Sequence, residues 1–436
     1  MKNLITWAGV AMLFTIPLVA QPSNTPSPQN PPDSSAMEQR IKDLEERIIA
    51  LEGQVRMLKA TPAAAPAQPA AVSGPTAAQA QVAVPPPAPT PAEAPPVAPG
   101  ALPVYGGASA SAKALNPDIS VIGDFIGKAG GNSVQPTPSL EMHESEVGFQ
   151  AIIDPYARGD FFISFGESGV NLEEGYITFT ALPAGIVARV GKMRSVFGKV
   201  NMMHNHVLPW VDRPLVTNNL VGGEDGIDDA GVSISRIIPA PKGLFLEATG
   251  QVFRGDSGAD DAVFHASRDS DVSAVAHLRS YADINESTNI DIGLSYARGH
   301  NELGTDFLTQ LYGIDATLRW KPLRRSIYHS FVGRGEFIWS QRQQVPTEQR
   351  AFGFYTSADY QLGRRWFLGG RYDLSDRSRF ANLTDKGGSL VLTYWPSEFS
   401  QIRGQYRHTS YADNISANEL FMQVIFSLGA HGAHPF

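Results

Sequence analysis

The stretch Gln310–Trp320, QLYGIDATLRW, decides the fold. Taken alternately, Tyr312, Ile314, Ala316, Leu318 and Trp320 fall on one face, and Leu311, Gly313, Asp315, Thr317 and Arg319 on the other. A period of two belongs to a β-strand, whose successive side chains point to opposite faces. An aromatic at each end brackets the apolar face, as in a strand that lies against lipid between two interfacial girdles. NELFMQVIFSLG repeats the pattern through Leu420, Met422, Val424, Phe426 and Leu428. QIRGQYR sets Gln401, Arg403, Gln405 and Arg407 against Ile402, Gly404 and Tyr406. Faces this charged exclude the dry core of a soluble sandwich, because each unpaired buried charge costs several kcal/mol. A water-filled lumen removes the conflict, and only a closed barrel pairs every backbone group of such strands inside a bilayer.

Working outward, alternating segments recur near 118-128, 144-154, 158-166, 171-181, 186-197, 228-238, 243-254, 271-281, 288-299, 310-320, 327-340, 350-362, 365-375, 387-395, 399-409 and 417-428. The expectation is an all-β, 16-stranded transmembrane antiparallel barrel over residues 118–429, with a C-terminal tail at 430–436. Sixteen strands are enough for an aqueous channel. Short breaks such as DPYARG, LPAG, IPAPKG, KPLRRS, LGRR and WPSE take turns with longer polar ones such as RGDSGADDAVFHASRDS and ARGHNELGTDF. An even strand number puts both barrel ends on one side, so the short breaks become turns there and the longer ones loops opposite.

The front of the chain differs in kind. Residues 1–20 have a lysine, an apolar run and a small residue at Ala20, the form of a secretory signal peptide. Residues 21–36 read as disordered. Over 37–60, Ile41, Ile48 and Val55 alternate with Leu44, Leu51 and Leu58 in a strict heptad, which predicts a coiled coil. Three heptads do not hold as a lone helix in water, so self-association is expected. Residues 61–117 are dominated by Pro and Ala and read as an extended linker, which places the zipper in the periplasm.

Composition sets limits. The 436 residues contain no cysteine, so no disulfide framework or thiolate metal site is available. A net charge of -8 argues against a nucleic-acid partner. No nucleophile elbow, P-loop or HExxH occurs, so neither an enzyme nor a cofactor is expected.

The longest break runs from about Lys199 to Gly226 and carries Leu208, Trp210, Leu215, Val216, Leu220 and Val221. So many apolar groups need a wall, and the inside of the same barrel is the nearest; a neighbouring subunit is the alternative. Charges gather here. Arg189, Lys192, Arg194, Lys199, Asp212, Arg213, Glu224 and Asp225 are the candidates for lining or constricting the channel. Arg189 and Lys192 are three apart and face opposite ways unless a bulge intervenes. His204 and His206 form HNH, but spacing fixes no third ligand, so no metal is assigned.

The zipper-like helix, EEGYITF, ARVGKMRSVFG, the long third loop and the strand count together resemble the phosphate-selective porin O/P family of bacterial outer membranes. That resemblance implies a trimeric channel with a constricting third loop, to which Lys192, Arg194 and Lys199 would supply part of a basic cluster. Lysine is scarce in this third loop and acids crowd its end, so the resemblance does not carry phosphate selectivity. The expected function is passive diffusion of small hydrophilic solutes or ions across the outer membrane, with weak anion preference. A structural tether, touching the cell wall or other periplasmic components through the coiled coil, is the alternative.

Overall fold

The computed structural model describes residues 117–166, 169–256, 259 and 261–429. The expected signal peptide, coiled coil and C-terminal tail lie outside the described residues, as does the linker up to residue 116.

Sixteen strands form one closed antiparallel barrel. They are β1 (Asp118–Ala129), β2 (Leu140–Asp154), β3 (Ala157–Gly166), β4 (Gly169–Phe179), β5 (Ile186–Arg194), β6 (Asp228–Ile237), β7 (Leu244–Phe253) and β8 (Ser273–Asn285). The second half comprises β9 (Thr288–Asn301), β10 (Gly304–Trp320), β11 (Phe331–Arg342), β12 (Gln349–Gly363), β13 (Trp366–Asp376), β14 (Thr384–Ser397), β15 (Ser400–Ser410) and β16 (Ser416–Gly429). Each strand pairs with its sequence neighbours, and β1 closes the ring on β16 through partners such as Phe125 and Val424. Closure gives every strand a paired neighbour on both sides, the condition for crossing lipid with strands.

The alternation read from QLYGIDATLRW holds residue by residue. Tyr312, Ile314 and Leu318 are exposed on the outer surface, while Leu311, Asp315 and Thr317 are buried inside. Tyr312 continues a row through Tyr296, Trp339 and Phe352, and Trp320 continues another through Phe331 and Tyr360. The eight residue steps from Tyr312 to Trp320, at about 3.3 Å each and a tilt of roughly 40°, separate the rows by about 20 Å along the axis. The band between them is apolar, with Ile314, Leu318 and Phe337 exposed. This is the outer face that a bilayer would cover.

Several connections differ from the expected lengths, and the β8–β9 one, expected at 282–287, is reduced to residues 286–287. The break between β9 and β10 shrinks to residues 302–303, because both strands run on beyond the expected limits. Asn301 sustains them by donating to Thr309 Oγ1 and to the Gln343 carbonyl, at 3.3 and 3.1 Å. The β10–β11 connection instead occupies residues 321–330, where Lys321 and Pro322 end the ladder.

Candidate functional site

Residues 195–227, here L3, connect β5 to β6 and turn into the barrel. Phe197, Val200, Leu208, Trp210, Val216, Leu220 and Val221 are all buried. They form one cluster with inward side chains of distant strands, among them Val275, Leu311, Ile338, Tyr355 and Val391. Sealing the loop's apolar groups against apolar wall positions removes both from water, the gain that holds L3 inside. The wall is therefore that of the same barrel.

At its start L3 passes Gly198, whose φ of +60° is left-handed. A Cβ at this position would overlap the Glu336 carboxylate of β11. Gly198 N–H donates to Ser295 Oγ at 2.9 Å, and Lys199 Nζ meets Asp291 of β9 at 3.0 Å. Farther along, a short helix α1 (Leu215–Leu220) packs on β11–β14. Between these points the Asp212 carboxylate receives Arg371 of β13 at 2.7 Å and Arg407 of β15 at 2.8 Å. Gln405 also donates to it. Burial alone would raise the Asp212 pKa, but the two guanidiniums outweigh it and hold the carboxyl well below its ordinary range. Arg371 also stacks on the Trp210 ring, 4.8 Å from its centroid, and Arg403 donates to the Trp210 carbonyl at 3.0 Å. L3 thus leaves the wall at β5 and is fastened on β13 and β15, across the lumen.

Two cavities lie on either side of it. The first, about 540 Å³, is lined by Arg213, Arg342, Arg377, Arg379 and Arg407 together with Glu141, Asp212, Glu224 and Asp261. The second, about 240 Å³ and toward the opposite end, is lined by Arg189, Lys199 and Arg279 with Glu247, Asp291 and Asp315. In both, cationic and anionic groups nearly balance. A mixed, charged lining favours hydrated solutes and opposes a strong single-sign filter.

Of the candidates from sequence, Asp212, Arg213 and Glu224 line the first cavity and Arg189 and Lys199 the second. Arg213 is held by the Val200 and Met203 carbonyls and by Asn205. Burial, followed by the nearby Arg194, pulls its pKa down to about 9. Lys192, Arg194 and Asp225 line neither cavity. The reason is a split in the wall: the β4–β5 ladder covers only Gly175–Phe179 and Ala188–Lys192. Beyond it, Lys192 reaches the Leu172 carbonyl and Asp228, while Arg194 binds Glu173 and the carbonyls of Glu224 and Asp225. These charges close a seam. The β5 register has no shift against β4 or β6, so Arg189 and Lys192 do face opposite ways.

Sequence reasoning missed an acidic cluster beside the seam. Register shifts leave His143 of β2 and Glu173 of β4 as extra residues in their ladders. A bulge lets two successive side chains share a face. Hence His143 joins Glu144 and Glu146, and Glu173 joins Glu174, all inside the wall. HESE and EEG carry the signal, since neighbouring polar residues in a lipid-facing strand cannot both point inward without a bulge. His204 of L3 enters this cluster: Nδ1 lies 2.7 Å from Glu146 Oε2 and 2.9 Å from Glu173 Oε2, and Nε2 is 2.9 Å from Glu174 Oε2. Burial would lower the His204 pKa, but the three carboxylates outweigh it and raise it well above the ordinary value.

No family model matches the chain. A protein of Aquifex aeolicus (strain VF5), described as an uncharacterized protein, is 27% identical, over 75% of this chain and 81% of the relative. Among solved structures, a loop L8 deletion mutant of OmpT, an outer membrane protein of Vibrio cholerae, superposes with a TM-score of 0.50. It shares 11% identity and covers 72% of this chain and 99% of that one. In-vitro folded OmpT of the same organism, in a trimer form, gives 0.50 at 9% identity with the same coverage of both. At such identities the likeness is one of fold.

Proposed function

We propose that the protein is an outer-membrane porin, a passive diffusion channel for small hydrophilic solutes or ions. The observation that carries this reading is L3, pinned across a closed barrel between two cavities of mixed charge. An apolar outer band with aromatic rows supports a bilayer location. The slight cationic excess of the larger cavity supports weak anion preference. The departures in L3 argue against a dedicated phosphate filter, so the motif resemblance to the phosphate-selective porins is kept only for the barrel. No enzymatic role is assigned. Purified protein inserted into planar bilayers should give ohmic, open-channel conductance. Its absence would sink the channel reading.

A trimer is the proposed assembly, supported by the trimer form of the OmpT barrel; the heptad seam supports self-association, though its a/d pattern alone favours two strands. The heptad at 37–60 and the linker behind it favour a second role as a periplasmic tether, compatible with the first. Deleting residues 37–100 separates the two, since lost envelope integrity with unchanged conductance assigns the tether to that segment.

A further inference from the structure

We propose that Glu144, Glu146, Glu173 and His204 form a binding site for a divalent transition-metal cation, one that fastens L3 to the β2–β4 wall. The four residues offer ligand atoms that all lie within 4.8 Å of one another. Three of them come from β2 and β4, which flank β3, and the bulge at Glu173 turns its carboxylate to the inner face that Glu144 and Glu146 occupy. The fourth comes from L3. A cation held among them would cross-link the loop to its wall at the side opposite the Asp212 clamp.

Buried atoms without a well-directed hydrogen bond point to a ligand. Glu146 is 3% exposed, and its Oε2 lies 2.7 Å from His204 Nδ1 without a well-directed hydrogen bond. Glu144 is 6% exposed and uses Oε2 for Asn205, while its Oε1 likewise lacks one. His204 Nδ1 is close to two carboxylate oxygens yet well directed toward neither. Buried polar atoms of this kind normally find a partner.

The charges agree. Glu144, Glu146, Glu173 and Glu174 face Arg194 as the only guanidinium bonded to the cluster among the described residues, through Glu173. Four carboxylates around one guanidinium leave the cluster acidic. A divalent cation would offset the excess. His204 Nε2 on Glu174 is also the outer-shell arrangement of metal-ligating histidines, in which a carboxylate orients the ring and leaves the other nitrogen for the metal. One imidazole with carboxylates suits Zn²⁺ or Mn²⁺ better than an all-oxygen site for Ca²⁺ would.

The test uses the full-length protein in detergent, stripped with EDTA and titrated with Zn²⁺ by calorimetry. One Zn²⁺ per barrel is expected, with a rise in thermal midpoint. Glu174→Gln, which changes only the outer shell, should weaken binding about 10–100-fold. Glu146→Gln and His204→Ala should weaken it further. Zinc-edge absorption of the loaded wild type reads the same site without any variant and should show imidazole scattering in a nitrogen–oxygen shell. No saturable binding, an all-water shell, or binding retained in the Glu146→Gln/His204→Ala double variant would each overturn the proposal.

Discussion

Asp212 of L3 and Arg371 of β13 meet at 2.7 Å, although the loop that carries Asp212 springs from β5 on the other side of the ring. The pair turns a long connection into a strut. Asp212→Asn would leave Arg371 and Arg407 with one partner fewer each. Hydrogen bonds to charged groups contribute about 1.5–3 kcal/mol, so the loop should lose roughly that much anchoring. Faster proteolytic cleavage within residues 199–226 and a larger, noisier single-channel conductance are expected. Wild-type values in both assays would show that the clamp does not position L3.

Acid should loosen the same contact. The folded-state pKa of Asp212 is depressed, so its stabilising contribution is complete above the unfolded value of about 3.9 and is lost as pH falls below it. Trp210 is fully buried beside Arg371 and reports the change. Acrylamide quenching of tryptophan should increase as pH falls below about 4, by about the share of one tryptophan in five, Trp7 leaving with the expected signal peptide. In Asp212→Asn the quenching should already be raised at pH 7 and should vary little with acid. A flat profile in the wild type would remove Asp212 as the sensitive group.

The barrel was legible because its information is local. Each strand states its own period, as Tyr312, Ile314 and Leu318 do against Asp315 and Thr317, and the apolar crowd around Trp210 demanded a wall. What faces Asp212 was not legible, since Arg371 and Arg407 lie far along the chain and only closure of the ring brings them in. The seam was hidden for a related reason. Strict alternation describes Lys192 and Arg194 as outward residues, and only a ladder that stops at Lys192 explains how they stay paired. At His143 and Glu173 the alternation itself fails by one residue, and with it any simple reading of which acids share a face.

Gly198→Ala tests how L3 leaves the wall. The substitution strains a left-handed backbone and drives a methyl group into Glu336, which is 1% exposed and so has little room to retreat. A cost of about 1–3 kcal/mol is expected. The signature should be a lower thermal midpoint with unchanged β-content by circular dichroism. An unaltered midpoint would mean that Glu336 moves aside at little cost.

Selectivity is where the cavity lining and the sequence candidates part company, and a reversal potential under a salt gradient discriminates between them. Arg342 and Arg379 line the larger cavity and share one carboxylate, Glu302, at 2.5 and 3.5 Å. One positive charge there is therefore left for passing ions. Arg342→Gln with Arg379→Gln removes it and exposes Glu302, so the potential should move toward cations. Lys192→Gln with Arg194→Gln should leave the potential where it is, because those side chains close the β4–β5 seam. The Arg194 side chain is 3% exposed, and unpairing Glu173 by removing it should cost about 3–5 kcal/mol of stability instead. A shifted potential in the seam variant, with none in the cavity variant, would place the selective charges at Lys192 and Arg194 after all.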